Sequence, residues 1–409
     1  MGRSICKKIL LCVMNKIILS CVLLFAGVAF SEIRPKLDLS GMVMVHAYAD
    51  WNTDETKVTH RFESMLDLDF DFHYNEHWSA WLELEAMGMA MNGMEGMEGM
   101  EGMDMGDGST MDPVNPAVIF NGAYIQYTRS ERTFFRIGDL NFYEGLFKNY
   151  YDFGDPRDDA AGMSQKTIRG LEFQWNGLQL DVGFGTASND QSCFYHFMFG
   201  EYMGMDCKDG YTYEVHTAYN FEIAEQVFHP YFAYKSYQRK DYNELYAGLD
   251  LSLSFEPFAF HGLYGFHSVF LASDDAVSYH ALLAEPSFEI SRFCIIGSLF
   301  YAFIDDPVRT RLEITSRPEY FFAAIEPSVA LNEYWTIGVP LELHTNTLDK
   351  KDDLGSARIG GRLYFNVPDF KIDIISMVLV DIPYGDDWPS EGNKNDPSFI
   401  FGVEAMFDF

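Results

Sequence analysis

The chain has 409 residues, with 29 Lys and Arg against 61 Asp and Glu, for a formal charge of −32. So acidic a protein is repelled by nucleic acid and attracts cations. Aromatic residues at 16% and 33 glycines suit a β-structure with aromatic girdles and tight turns better than a helical enzyme.

At the N-terminus, Arg3, Lys7, Lys8 and Lys16 precede an apolar run over 17–30, and Ala29-Phe30-Ser31 offers a cleavage site. Residues 1–31 therefore read as a secretory signal peptide, with 32–409 as the mature chain. The mature chain offers no further run of about 20 apolar residues, as a membrane helix requires. Cys6, Cys12 and Cys21 leave with the leader. Cys193 and Cys207 can close a disulfide in an oxidising compartment, and Cys294 stays unpaired on an apolar strand.

Strand-like segments follow in regular succession. The alternation predicts strands over 37–49, 58–73, 78–89, 117–128, 133–140, 166–175, 178–187, 211–223, 227–238, 243–254, 258–271, 277–289, 293–304, 317–329, 334–344, 355–366 and 370–380. The Asn176-Gly177 pair between two of them is a hairpin dipeptide. The last strand, 398–409, places Phe399, Phe401, Val403, Ala405, Phe407 and Phe409 on one face and Gly402, Glu404 and Asp408 on the other. Eight tight turns thus alternate with nine longer links.

A final strand closing on a terminal aromatic resembles the C-terminal signature of Gram-negative outer-membrane β-barrels of the porin-like kind. The resemblance implies an all-β fold: a transmembrane antiparallel up-and-down barrel of about 18 strands, with short periplasmic turns and long extracellular loops. It also implies contact with outer-membrane lipid and the barrel insertion machinery. The oligomeric state stays open, a homotrimer being one arrangement. A soluble β-sandwich is the structural alternative.

A barrel of 16 to 18 strands encloses an aqueous channel, so inward residues should be polar. On the second strand Phe62, Leu66, Leu68, Phe70 and Phe72 share the lipid face, leaving Glu63, Asp67, Asp69 and Asp71 for the lumen. The third sends Leu82 and Leu84 out and Glu83 and Glu85 in. Arg136, Arg358 and Arg362 alternate with apolar residues and supply basic counterweight, and Glu404 joins the wall from the last strand. The link over 141–165 carries Glu144, Asp152, Asp155, Asp158 and Asp159 among aromatics. Its apolar content predicts that it packs against something, either inside the lumen as a constriction loop or over the mouth as a cap.

The link over 90–116 is built on a Gly-Met-Glu triplet, with Met91, Met94, Met97, Met100, Met103 and Met105. Thioethers are soft donors for Cu(I) or Ag(I). The run resembles those of outer-membrane copper-resistance barrels, although such runs carry many histidines and this one has none. Inward parity adds Met42, Met44, His46, Met65, Met87, Met89 and Met406. The competing reading is triplet expansion in an unconstrained extracellular loop.

No G-x-S-x-G elbow, H-E-x-x-H pair, P-loop or CxxC motif is present, so the sequence carries no enzyme constellation and calls for no resident cofactor. The expected function is passive diffusion of small hydrophilic solutes with a preference for cations. Copper or silver binding through the methionine loop, or a structural or adhesive surface barrel, are the alternatives.

Overall fold

The computed structural model describes residues 35–52, 58–92, 117–142, 144, 147–150, 166–186, 211–224, 226–237, 242–271, 276–305, 319–345, 355–384 and 397–409. The leader, Met94 to Met105 of the methionine link, Asp152, Asp155, Asp158, Asp159, Cys193 and Cys207 lie outside them.

Twenty strand segments occur among the described residues: β1 (Lys36–Asn52), β2 (Val58–His73), β3 (Trp78–Asn92), β4 (Ala117–Ser130), β5 (Thr133–Phe142), β6 (Lys166–Trp175), β7 (Leu178–Thr186), β8 (Tyr211–Tyr219), β9 (Phe221–Ile223), β10 (Gln226–Tyr237), β11 (Tyr242–Phe255), β12 (Phe258–Leu271), β13 (Ala276–Ile290), β14 (Phe293–Asp305), β15 (Glu319–Ala330), β16 (Trp335–Gly338), β17 (Leu341–Thr345), β18 (Gly355–Val367), β19 (Ile372–Tyr384) and β20 (Ser398–Asp408). Two staves are each broken into two pieces. Both β8 and β9 pair with β10, and both β16 and β17 pair with β15 and β18. Eighteen antiparallel staves therefore form the sheet, and β20 pairs with both β19 and β1 to close it. Closure satisfies the edge groups that an open sheet would expose.

The breaks have local causes. Pro340 has no N–H to give the ladder. The seam is kept instead by Val339 N–H on the Pro327 carbonyl (3.0 Å) and Gly360 N–H on the Pro340 carbonyl (3.2 Å). Asn220, between β8 and β9, turns its N–H to Gly177 O at 2.8 Å. At the predicted hairpin, Asn176 and Gly177 have φ of 48° and 92°, which only a turn tolerant of left-handed backbone accepts. Ahead of β19, Pro368–Phe370 forms a 3₁₀ turn where extended chain is predicted from 370.

Outward positions are apolar and exposed, as a wall facing hydrocarbon requires: Phe401, Val403 and Phe407 on β20, and Ile359 and Leu363 on β18. Aromatic side chains crowd the outer ends of the staves. Trp175, Phe221, Phe255, Phe258, Phe293, Tyr334 and Phe370 stand at the tight-turn end, and Trp51 and Tyr213 stand at the long-link end. Aromatics at both ends of the staves suit a barrel seated between two membrane interfaces.

Candidate functional site

The inner wall is where the chain's charge is organised. Residues directly opposite each other across antiparallel strands share a face. Val43 faces Leu66 and Leu39 faces Phe70 on the outside, so Met42 opposite Asp67 and Ser40 opposite Asp69 belong to the inside. In the closing seam, His46 faces Glu63 on one side and Glu404 on the other, and Met44 faces Met65 and Met406.

The first arc of the wall is acidic. Asp67 sits opposite Glu85 and Asp69 opposite Glu83. Asp69 accepts the indole N–H of Trp81 (2.9 Å), whose ring stacks on Tyr124 with centroids 5.1 Å apart. Arg136 covers the Tyr124 ring at 4.0 Å and donates to Glu172 (3.0 Å) and Gln126 (2.9 and 3.1 Å). Arg169 binds Asp139.

From β7 round to β18 the wall has a different construction. Nearest the turns, Asp181, His216, Glu144 and His229 form a chain. Asp181 lies 2.6 Å from His216 Nδ1, and Glu144 lies 2.9 Å from His216 Nε2 and 3.3 Å from His229 Nε2. Asn220 fixes the other nitrogen of His229 at 2.6 Å. Further on, His261 bridges Asp250 (3.1 Å) and Glu285 (2.6 Å). Arg362 binds Glu326 (2.7 Å) and Glu342 (3.4 Å), and Arg358 lies 3.4 Å from Asp381. Nearest the links, Lys235 lies 3.3 Å from Glu214. Glu244 accepts from Tyr237, Tyr246 and His267.

Between the two charged belts runs an apolar band. Leu263, Leu283, Phe300 and Phe322 face one another across successive staves, with Ala218, Tyr231, Ala233, Ala281 and Ala302 around them, all buried. A wholly polar lumen is therefore not what this wall presents. The band has a partner: Phe147 lies 5.4 Å from Phe300, and Tyr150 lies 4.2 Å from Phe322. Phe147 and Tyr150 of the 141–165 link thus pack against this band.

That segment is tied along the wall from β8 to β17. Lys148 Nζ reaches Ser252 (2.8 Å) and Asp250 (3.5 Å), and Tyr150 donates to Glu342 (3.1 Å). Burial alone would raise the Glu144 carboxyl, but hydrogen bonds from His216 and His229 and the charge of His216 outweigh it and hold it at about 2.

Among the described residues, no group of three His, Cys, Asp or Glu is arranged to hold a metal ion. The thiol of Cys294 is free. Parity reading of the first hairpin found Glu63, Asp67, Asp69, Asp71, Glu83 and Glu85. The same rule on later strands, where Thr212, Glu214 and His216 alternate with exposed Tyr213 and Val215, would have found the belts as well.

No family model matches the chain, and no curated protein matches it in sequence. Solved structures do. Pseudomonas aeruginosa OpdQ superposes with a TM-score of 0.56 at 9% identity, covering 91% of this chain and 99% of its own. OprD of the same organism gives 0.54 at 10% identity, covering 93% and 97%. OpdK with vanillate gives 0.53 at 10% identity, covering 91% and 98%. This is the fold of the outer-membrane channels. On that fold this chain carries two charged belts, an apolar band between them and an acidic arc across the lumen.

Proposed function

We propose that this barrel is a passive channel for small hydrophilic solutes that prefers cations. The observation that carries the reading is the asymmetry of the inner wall. Residues 144 and 148–150 are tethered to staves between β8 and β17, where carboxylates meet Arg, Lys, His or Tyr. On the opposite arc the register sets Asp67 across from Glu85 and Asp69 across from Glu83, which concentrates carboxylates there. Like charges facing each other destabilise a sheet by themselves, and they raise the local concentration of cations. Glu63, Asp71 and Glu404 extend this arc, with Arg136 at its border.

The solved OpdK carries vanillate, an aromatic carboxylate. An acidic arc of this kind would disfavour such an anion in this barrel. Planar-bilayer recording tests both parts: reversal potentials in a salt gradient should report cation preference that weakens in high salt. Absence of conductance removes the channel, and anion preference at low salt removes the selectivity.

A second reading, capture of Cu(I) or Ag(I), draws on one feature of the wall. Met65, Met44 and Met406 face one another in a row across three adjacent strands. Thioethers in such a row suit a soft monovalent ion. Replacing all three with Leu and titrating Ag(I) would leave affinity unchanged if they serve only as packing.

A further inference from the structure

Glu285 is fully buried on the inner face of β13 and carries four hydrogen bonds divided evenly between two structures. Its Oε1 accepts the N–H of Asn149 (3.0 Å) and the hydroxyl of Ser298 (2.8 Å). Its Oε2 accepts the N–H of Lys148 (2.8 Å) and lies 2.6 Å from His261 Nδ1. Each oxygen thus holds one donor from the inward segment and one from the wall. The Asn149 side chain adds a bond to the Glu285 carbonyl at 3.3 Å. A closed circuit results, since His261 also reaches Asp250 and Asp250 reaches the Lys148 ammonium.

We infer that Glu285 is a positioning residue that sets the bore of the channel by clamping the segment at Lys148 and Asn149 against the wall. The inference rests on the channel reading above. A backbone N–H inside the barrel must find an acceptor, and a carboxylate is the one side chain that offers two equivalent acceptor oxygens to adjacent N–H groups while keeping two wall contacts. Phe147 and Tyr150 on either side then meet the apolar band at fixed positions, so the clamp determines how far the segment stands out from the wall. Glu285 also lies away from the acidic arc, which separates control of width from control of charge.

Glu285→Gln tests this in the full-length barrel. The amide has one acceptor oxygen, so one of the two N–H groups loses its partner and the segment is released at that point. The expected result is a rise in single-channel conductance, roughly 1.5-fold or more, with noisier open levels and an unchanged sign of ion preference. Lys148→Pro removes one of the same donors from a segment outside the strands and leaves the wall intact, so it decides the question if Glu285→Gln does not insert. A merely structural Glu285 would lower the unfolding midpoint while inserted channels conduct at the wild-type level. That result in every variant that inserts overturns the inference. A wild-type protein that does not conduct overturns the channel reading first, which keeps the two failures apart.

Discussion

Arg169 forks onto Asp139, with Nε 2.6 Å from Oδ1 and Nη2 2.7 Å from Oδ2. Asp139 Oδ2 also accepts the backbone N–H of Ala123 at 2.8 Å, just beyond the last β4–β5 ladder pair, Tyr124 with Gly138. One buried carboxylate therefore holds a half-buried cation and closes a gap in the backbone ladder. Asp139→Ala should destabilise the barrel by about 1–3 kcal/mol, since it removes the acceptor of the Ala123 N–H and two of the Arg169 hydrogen bonds. Adding Arg169→Leu should recover part of the loss. Denaturant unfolding in detergent micelles measures both, and strictly additive effects would refute the coupling.

Acid should loosen the inward segment in a defined window. The folded Glu144 carboxyl is held at about 2, below its ordinary value of 4.5. A depressed carboxyl contributes stability that is present above the unfolded value and is lost as pH falls through the folded one. The segment should therefore hold above pH 4.5 and weaken progressively toward pH 2. Glu144→Gln should flatten this dependence while leaving the barrel closed, which protease accessibility of the segment across the pH range would report.

Charge selection should follow the acidic arc and not the belts of β7 to β18. Neutralising Asp67, Asp69, Glu83 and Glu85 together to their amides should lower the cation-to-anion permeability ratio several-fold at 0.1 M salt. The difference should shrink at 1 M, where the screening length falls from about 10 Å to about 3 Å. Glu326→Gln, on the paired wall beside Arg362, should move the ratio much less. Equal effects would place selectivity elsewhere.

Barrel closure should depend on Gly41. Its N–H and carbonyl exchange hydrogen bonds with Phe409 at 3.2 and 3.0 Å. A Cβ there would meet the Asp67 carbonyl and the Phe409 ring. Gly41→Val should therefore impair assembly, seen as loss of the compact, heat-modifiable band in a gel. Normal assembly of the variant would show that the final residue can be displaced without consequence.

The staves were legible because a strand with one face in lipid and one in a lumen must alternate, and each of the eighteen predicted segments coincides with a stave. The seam between β1 and β20 followed from the same rule, with His46 opposite Glu404 as antiparallel closure demands. Partnerships across the wall were not legible. Glu326 and Arg362, or Asp181 and His216, lie far apart in sequence, and only the barrel register brings them together. The course of segment 144–150 was undetermined for a related reason. It has no periodicity of its own, and its anchors, Glu285 and Glu342, stand on strands more than a hundred positions away.

The closing seam also bears on how the molecule is made. Hairpins such as β6 with β7 can form from neighbouring sequence as soon as both arms exist. The pairing of β1 with β20 joins strands from opposite ends of the described chain, and it carries a large loop-closure entropy. Most of the sheet can thus form while the final join is absent, leaving two complementary, unsatisfied edges that must find each other before the molecule is safe from wrong pairing. The slowest and most error-prone step of assembly is then a single encounter along that seam, and the row of Met44, Met406, His46 and Glu404 is a part of the wall that comes into being only when it succeeds.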